Sequence, residues 1–94
     1  MSMFELTILA HKDMKVVDKM ELEKKIRAFG RIARRKVEGV KRLAYGIQGE
    51  EFALYLFYEL ELEGGKATRL SNSLNVDDMV LRYLLVKQDI RGEN

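Results

Sequence analysis

Polar and apolar residues alternate most cleanly between Phe52 and Glu63. Leu54, Leu56, Tyr58, Leu60 and Leu62 fall on one parity, and Ala53, Tyr55, Phe57, Glu59, Glu61 and Glu63 on the other. Side chains of a strand point alternately to its two faces, so this segment reads as a strand whose Leu/Tyr face turns to a core. Its second face begins aromatic and ends acidic, the makeup of a surface where a partner docks. Met3 to Ala10 alternates as well, with Phe4, Leu6, Ile8 and Ala10 set against Glu5, Thr7 and Leu9, and reads as a first strand. Met79 to Lys87 is apolar on both parities apart from Arg82 and reads as a last one.

A different period lies between these strands. Leu22, Ile26 and Phe29 recur at helical spacing. Asp18 is placed to cap that helix with Glu21 reaching back to it, Val17 to staple onto Leu22, and Gly30 to close the last turn. Ala67, Leu70 and Leu74 mark a second, short helix after Gly64-Gly65; its Thr, Ser and Asn content makes it depend on tertiary packing. Arg31 to Ile47 reads as a long basic strand with a bulge at Gly39. Its hairpin turn is expected over Gln48 to Glu51, with Gly46 and Gly49 supplying positive φ. Asp77-Asp78 makes the turn into the last strand. The order βαββαβ predicts an α+β, ferredoxin-like domain: a four-stranded antiparallel sheet, two helices on one face and the other face open. Residues 1–94 form this single domain, with 88–94 as a polar tail.

Composition narrows the function classes. A chain of 94 residues, 47% hydrophobic and 34% charged, has the balance of one small globular domain with little room for an enclosed cofactor, and none is expected. The longest apolar run, Phe52 to Tyr58, is too short to span a bilayer, so no membrane contact is expected. The start Met-Ser-Met-Phe-Glu lacks a secretory signal pattern, which makes the cytoplasm the expected location. With no cysteine, disulfides, thiolate zinc sites and thiol catalysis are excluded, and no metal site is expected. Net charge is +2, yet residues 1–46 hold 12 Lys and Arg against 6 Asp and Glu while residues 47–94 hold 5 against 9. Such asymmetry fits either two partners of opposite sign or a mixed, solvated surface.

No constellation supports catalysis. The single histidine, His11, stands in a polar stretch with Lys12 and Asp13 and reads as solvated; Glu50-Glu51 and Asp77-Asp78 fall in expected turns, where neighbouring side chains diverge into water. RNA binding has more behind it. Phosphates are held by clustered Lys and Arg, and bases stack on aromatic faces. The basic strand supplies Arg34, Arg35, Lys36, Lys41 and Arg42, and the next strand supplies Tyr55 and Phe57. Lys41 and Arg42, being adjacent, point to opposite faces. By themselves these residues fit a solvated basic strand and a packed aromatic pair equally well.

Lys41-Arg42-Leu43-Ala44-Tyr45-Gly46-Ile47 resembles the Arg-Arg-Leu-Ala-Tyr-Pro-Ile signature of the sixth small-subunit ribosomal protein of bacteria. Phe4-Glu5, Leu70 to Leu74, and Val80 to Lys87 fit the same family in the same order, so the resemblance covers nearly the whole chain. It implies a structural, non-enzymatic protein of the cytoplasmic ribosome, monomeric when isolated. The implied partners are the central domain of small-subunit rRNA and the eighteenth small-subunit ribosomal protein. It also implies Lys41 and Arg42 as phosphate contacts, Arg82 as a third, and a protein interface on part of the exposed sheet. We place Tyr55, Phe57, Glu59 and Glu61 at that interface, and add Arg34, Arg35 and Lys36 to the RNA-binding set. Ser2 and Met3 stand where the family carries a cation, and Gly46 replaces its proline. The competing reading is a ferredoxin-like interaction or small-molecule regulatory domain that self-associates through its open sheet. The ribosomal reading would lose its footing if Lys41 and Arg42 were both consumed by internal ion pairs while a second copy sealed the sheet.

Overall fold

Alternation in the sequence translates directly into the central layer. The computed structural model describes residues 1–88, so the expected tail lies, apart from Gln88, outside the described residues. The elements are β1 (Ser2–His11), α1 (Val16–Arg27), β2 (Gly30–Ile47), β3 (Glu50–Leu62), α2 (Gly64–Asn75) and β4 (Val80–Lys87). They form one four-stranded antiparallel sheet in the order β2-β3-β1-β4. Phe4, Leu6, Ile8 and Ala10 of β1 and Leu56, Tyr58, Leu60 and Leu62 of β3 are buried with Leu22 and Ile26 of α1 and Leu70 and Leu74 of α2. The even-numbered positions of β1 and β3 therefore face both helices, as expected for a ferredoxin-like fold.

Several boundaries differ from expectation for local reasons. Helix α1 begins two residues before Asp18, which sits inside its first turn and accepts a hydrogen bond from the Lys15 amide at 3.0 Å. Lys15, the N-cap residue, offers no capping acceptor, so a carboxylate from within the first turn takes that place. Val17 is 58% exposed and staples nothing. Gly30 is not a left-handed cap: it opens β2, where a Cβ would lie 2.2 Å from Leu62 Cδ2 and 2.3 Å from the Glu61 carbonyl oxygen. Close approach of two backbones is what selects glycine there. Gly64 and Gly65 open α2 and do not merely end β3, and Glu63 is the N-cap of α2, outside the strand.

The hairpin turn is shorter than expected. Ile47 pairs with Glu50, leaving a two-residue loop of Gln48 (φ 52°) and Gly49 (φ 81°). Two consecutive positive φ values match the twist of the flanking strands. Gly46 is not among the positive-φ residues, and Glu50 and Glu51 belong to β3.

Candidate nucleic-acid interface

Which cations share a face is decided by bulges in β2. Strict alternation would put Arg31, Arg35 and Lys41 on one side and Arg34 and Lys36 on the other. The register slips between Ile32 and Arg34 and again between Val37 and Gly39. Each slip adds one residue to β2 and reverses the facing of all that follows until the next. Arg31 thus stands opposite Glu61, Arg34 opposite Glu59, Lys36 opposite Phe57, Gly39 opposite Tyr55 and Lys41 opposite Ala53. All belong to the face away from the helices. Gly39 makes its bulge with φ +92°, as expected from sequence. Ala33 marks the other, and nothing in its residue type announces it.

Arg35 is turned the other way by the same device. It stands opposite Tyr58 on the helix side, where its guanidinium bonds Glu23, a carboxylate only 3% exposed. Tyr58 donates its hydroxyl proton to the second Glu23 oxygen at 2.9 Å, and Arg27 Nη2 lies 3.8 Å from the first. Burial pushes the Tyr58 hydroxyl well above the ordinary phenol range, and the hydrogen bond to Glu23 pushes it further. Sequence reading did not find Glu23. Its only signal is a carboxylate beside the apolar stripe of Leu22 and Ile26, and its closest partners, Arg35 and Tyr58, come from β2 and β3.

A third irregularity builds the tip of the arm. Between the Arg42–Phe52 and Ile47–Glu50 pairs, residues Leu43 to Gly46 of β2 face only Glu51 of β3. The bowed segment folds Leu43 onto Ala53 and Leu81, with Leu9, Ile47 and Tyr55 around them. The face expected to be bare is therefore covered at this end. Tyr45, next but one to the buried Leu43, is 87% exposed. The remainder stays open, with Leu84 (63% exposed) and Val86 (45%) opposite Thr7 and Glu5.

Most of these cations have carboxylate neighbours. Lys41 Nζ lies 3.1 Å from Glu38 Oε1, Lys36 Nζ 3.8 Å from Glu38 Oε2, Arg34 Nη1 3.8 Å from Glu59 Oε2 and Arg42 Nη2 3.8 Å from Glu51 Oε1. Arg31 bonds Glu61 at 2.8 Å, which holds the Glu61 carboxyl below the usual carboxylate range and raises Arg31 in turn. Lys41 and Arg42 are thus both ion-paired internally, but their side chains remain 51% and 75% exposed. Exposed Lys or Arg pairs of this kind contribute at most about 1 kcal/mol and exchange readily for another anion. Lys41 also sits over the Tyr55 ring, 5.2 Å from its centroid. Arg82, opposite Leu9, has no ion-pair partner among the described residues; three strand spacings, about 14 Å, separate its strand from β2.

The arrangement offers an anion a row of solvated cations on one face of a strand, with Arg42, opposite Phe52, exposed on the other face. Comparison with known proteins places the chain in a family. A family model described as ribosomal protein S6 matches residues 3–87. The small ribosomal subunit protein bS6 of Ruthia magnifica subsp. Calyptogena magnifica is 31% identical over 90 residues, which cover 92% of this chain and 80% of that one. The bS6 protein of Fusobacterium nucleatum is 34% identical over 58 residues; the chain spans 62% of that relative's length, less than two-thirds. A crystal structure of 30S ribosomal protein S6 from Thermotoga maritima shares the fold, with a TM-score of 0.81 at 16% identity over 93% of this chain and 87% of that one. Since the matched stretch begins inside β1, ends with β4 and includes the bowed Lys41 to Ile47 segment, the chain belongs to the ribosomal protein S6 family.

Proposed function

We propose that the chain is a structural constituent of the small ribosomal subunit that binds the central domain of its rRNA jointly with the eighteenth small-subunit protein. The observation that carries this reading is the phase reset in β2, which gathers Arg34, Lys36 and Lys41 on one solvated face, with Arg42 exposed on the opposite face of the same arm. Phosphates replace the carboxylates at these positions, because the existing pairs are weak and solvated. Arg82 is a separate contact from the far edge of the sheet. Arg35 is not a contact in this proposal: withdrawing it from Glu23 would leave a buried carboxylate without its nearest cation. Phe57, Glu59 and Glu61, with the part of Tyr55 left uncovered by Leu43 and Lys41, form the protein-facing part of the open sheet, and the exposed Leu84 and Val86 add apolar area on the far side of β1. The isolated chain is a monomer and needs no cofactor.

Binding of a central-domain rRNA fragment, with the eighteenth protein present, tests this over a salt titration. Wild-type affinity is expected to fall steeply with salt. Lys41→Ala with Arg42→Ala is expected to weaken binding about tenfold or more and to flatten the logarithmic salt slope by roughly 1 to 2. Unchanged affinity and slope would remove both residues from the interface, and a stable homodimer with no RNA affinity at low salt would favour self-association.

A further inference from the structure

The cations of β2 are not equally available. Arg34 has its own carboxylate across the strand pair, whereas Lys36 and Lys41 share one, Glu38. Glu38 is the extra residue of the second bulge: Val37 pairs with Leu56 and Gly39 with Tyr55, so Glu38 has no partner on β3. Its side chain is consequently free of the cross-strand pairing that engages Glu59 and Glu61, and it reaches both ammonium groups. The charge of Lys41 is divided further, since it also lies over Tyr55.

We propose that Glu38 is a masking residue, a built-in counter-charge that holds Lys36 and Lys41 partly neutralised until a phosphate displaces it, and so sets the affinity and salt sensitivity of the RNA-binding face. This inference rests on the RNA reading above and specifies which residue opposes it. A carboxylate that bonds two cations of a binding face repels the incoming phosphate and competes for the same donors; both effects weaken binding. At a separation of about 6 to 8 Å in a largely aqueous setting, one negative charge changes affinity by several-fold. The mask also discriminates against isolated anions. A polyanion that meets Arg34 and the two lysines together displaces the carboxylate with several contacts, while a single phosphate must do so with one.

Glu38→Gln keeps the side-chain shape and removes the charge, so the bulge and Gly39 are left as they are. The probe is the same central-domain rRNA fragment, with the eighteenth protein present, titrated from about 50 to 300 mM salt. Glu38→Gln is expected to bind about three- to tenfold more tightly than wild type near 100 mM salt, with a steeper salt slope. In a Lys36→Ala, Lys41→Ala background the gain is expected to shrink to the part that charge repulsion alone supplies, and an undiminished gain would overturn the mask. An unchanged or weaker affinity, with wild type binding normally and the variant's melting temperature unaltered, would overturn the mask and show Glu38 to be a residue that positions the two lysines. Absence of wild-type binding at low salt would overturn the RNA reading itself, an outcome distinct from the first.

Discussion

Gly30→Ala is expected to destabilise the domain by about 3 kcal/mol, lowering the melting temperature by roughly 12 °C or more. The added methyl would lie 2.3 Å from the Glu61 carbonyl oxygen and 2.2 Å from a methyl of Leu62. Neither neighbour can yield easily. The carbonyl belongs to the backbone of β3, and Leu62 is fully buried in the core. Relief requires β2 to lift from β3 at its first residue, next to the Arg31–Glu61 pair. Thermal unfolding of the variant measures this, and a shift below about 3 °C would contradict the close approach. Gly39→Ala serves as a comparison: its methyl meets nothing within 4 Å, so its cost is that of φ +92° alone, about 1 to 2 kcal/mol.

Glu23→Ala is expected to cost about 3 kcal/mol, close to the Gly30 effect but through the loss of a carboxylate and not through a clash. Tyr58, Arg35 and the more distant Arg27 lose this partner at once. The Tyr58 hydroxyl, 1% exposed as a residue, is left without an acceptor, and Arg35 is left facing no charge. Tyr58→Phe is expected to cost less, about 1 to 2 kcal/mol, because Glu23 keeps Arg35. The double variant Glu23→Ala, Tyr58→Phe is expected to cost less than the sum of the two, since one interaction is removed twice. Additive effects in chemical denaturation would contradict the network. Alkaline pH probes the same contact. The folded state holds the Tyr58 hydroxyl above its unfolded value of about 10, so its stabilisation is complete below that pH and is lost as pH rises towards the folded value. Tyr58 is therefore expected to ionise only with unfolding.

The architecture was legible in the sequence, and the reason is visible residue by residue. The two-residue period of Phe4 to Ala10 and of Leu54 to Leu62 records a sheet with one buried face, and the Leu22, Ile26 and Leu70, Leu74 spacings record the helices that cover it. Gly39 was legible because only glycine takes its φ without cost. Ala33 was not, because a bulge formed by an ordinary residue leaves no trace in residue type, yet it decides that Arg34 and Lys36 face outward and Arg35 inward. A list of cations along a strand could not separate these three. Glu23 was equally silent, its meaning coming from Tyr58 and Arg35, which are distant in sequence. The covering of Ala53 by Leu43 depends on three extra residues bowing out of one strand, and alternation describes only regular pairing.

The ribosomal protein S6 family is structural and not enzymatic, which agrees with reading His11 and the acidic pairs as having no catalytic role. Among the described residues no helix is long and apolar enough to cross a membrane, and no group of three or more His, Cys, Asp or Glu could hold a metal ion. Two bulges sort the densest basic segment of this chain into an outward-facing row of cations and one internal brace, Arg35.

Sedimentation of tagged chain with ribosomal subunits, followed through a salt wash, tests that sorting most directly. Wild type and Arg35→Lys are expected to travel with the small subunit, whereas the combined Arg34→Ala, Lys36→Ala, Lys41→Ala and Arg42→Ala variant, folded by its melting curve, is expected to remain in the free-protein fractions. Equal occupancy of small subunits by that variant and by wild type, or wild type confined to the free fractions, would contradict the account.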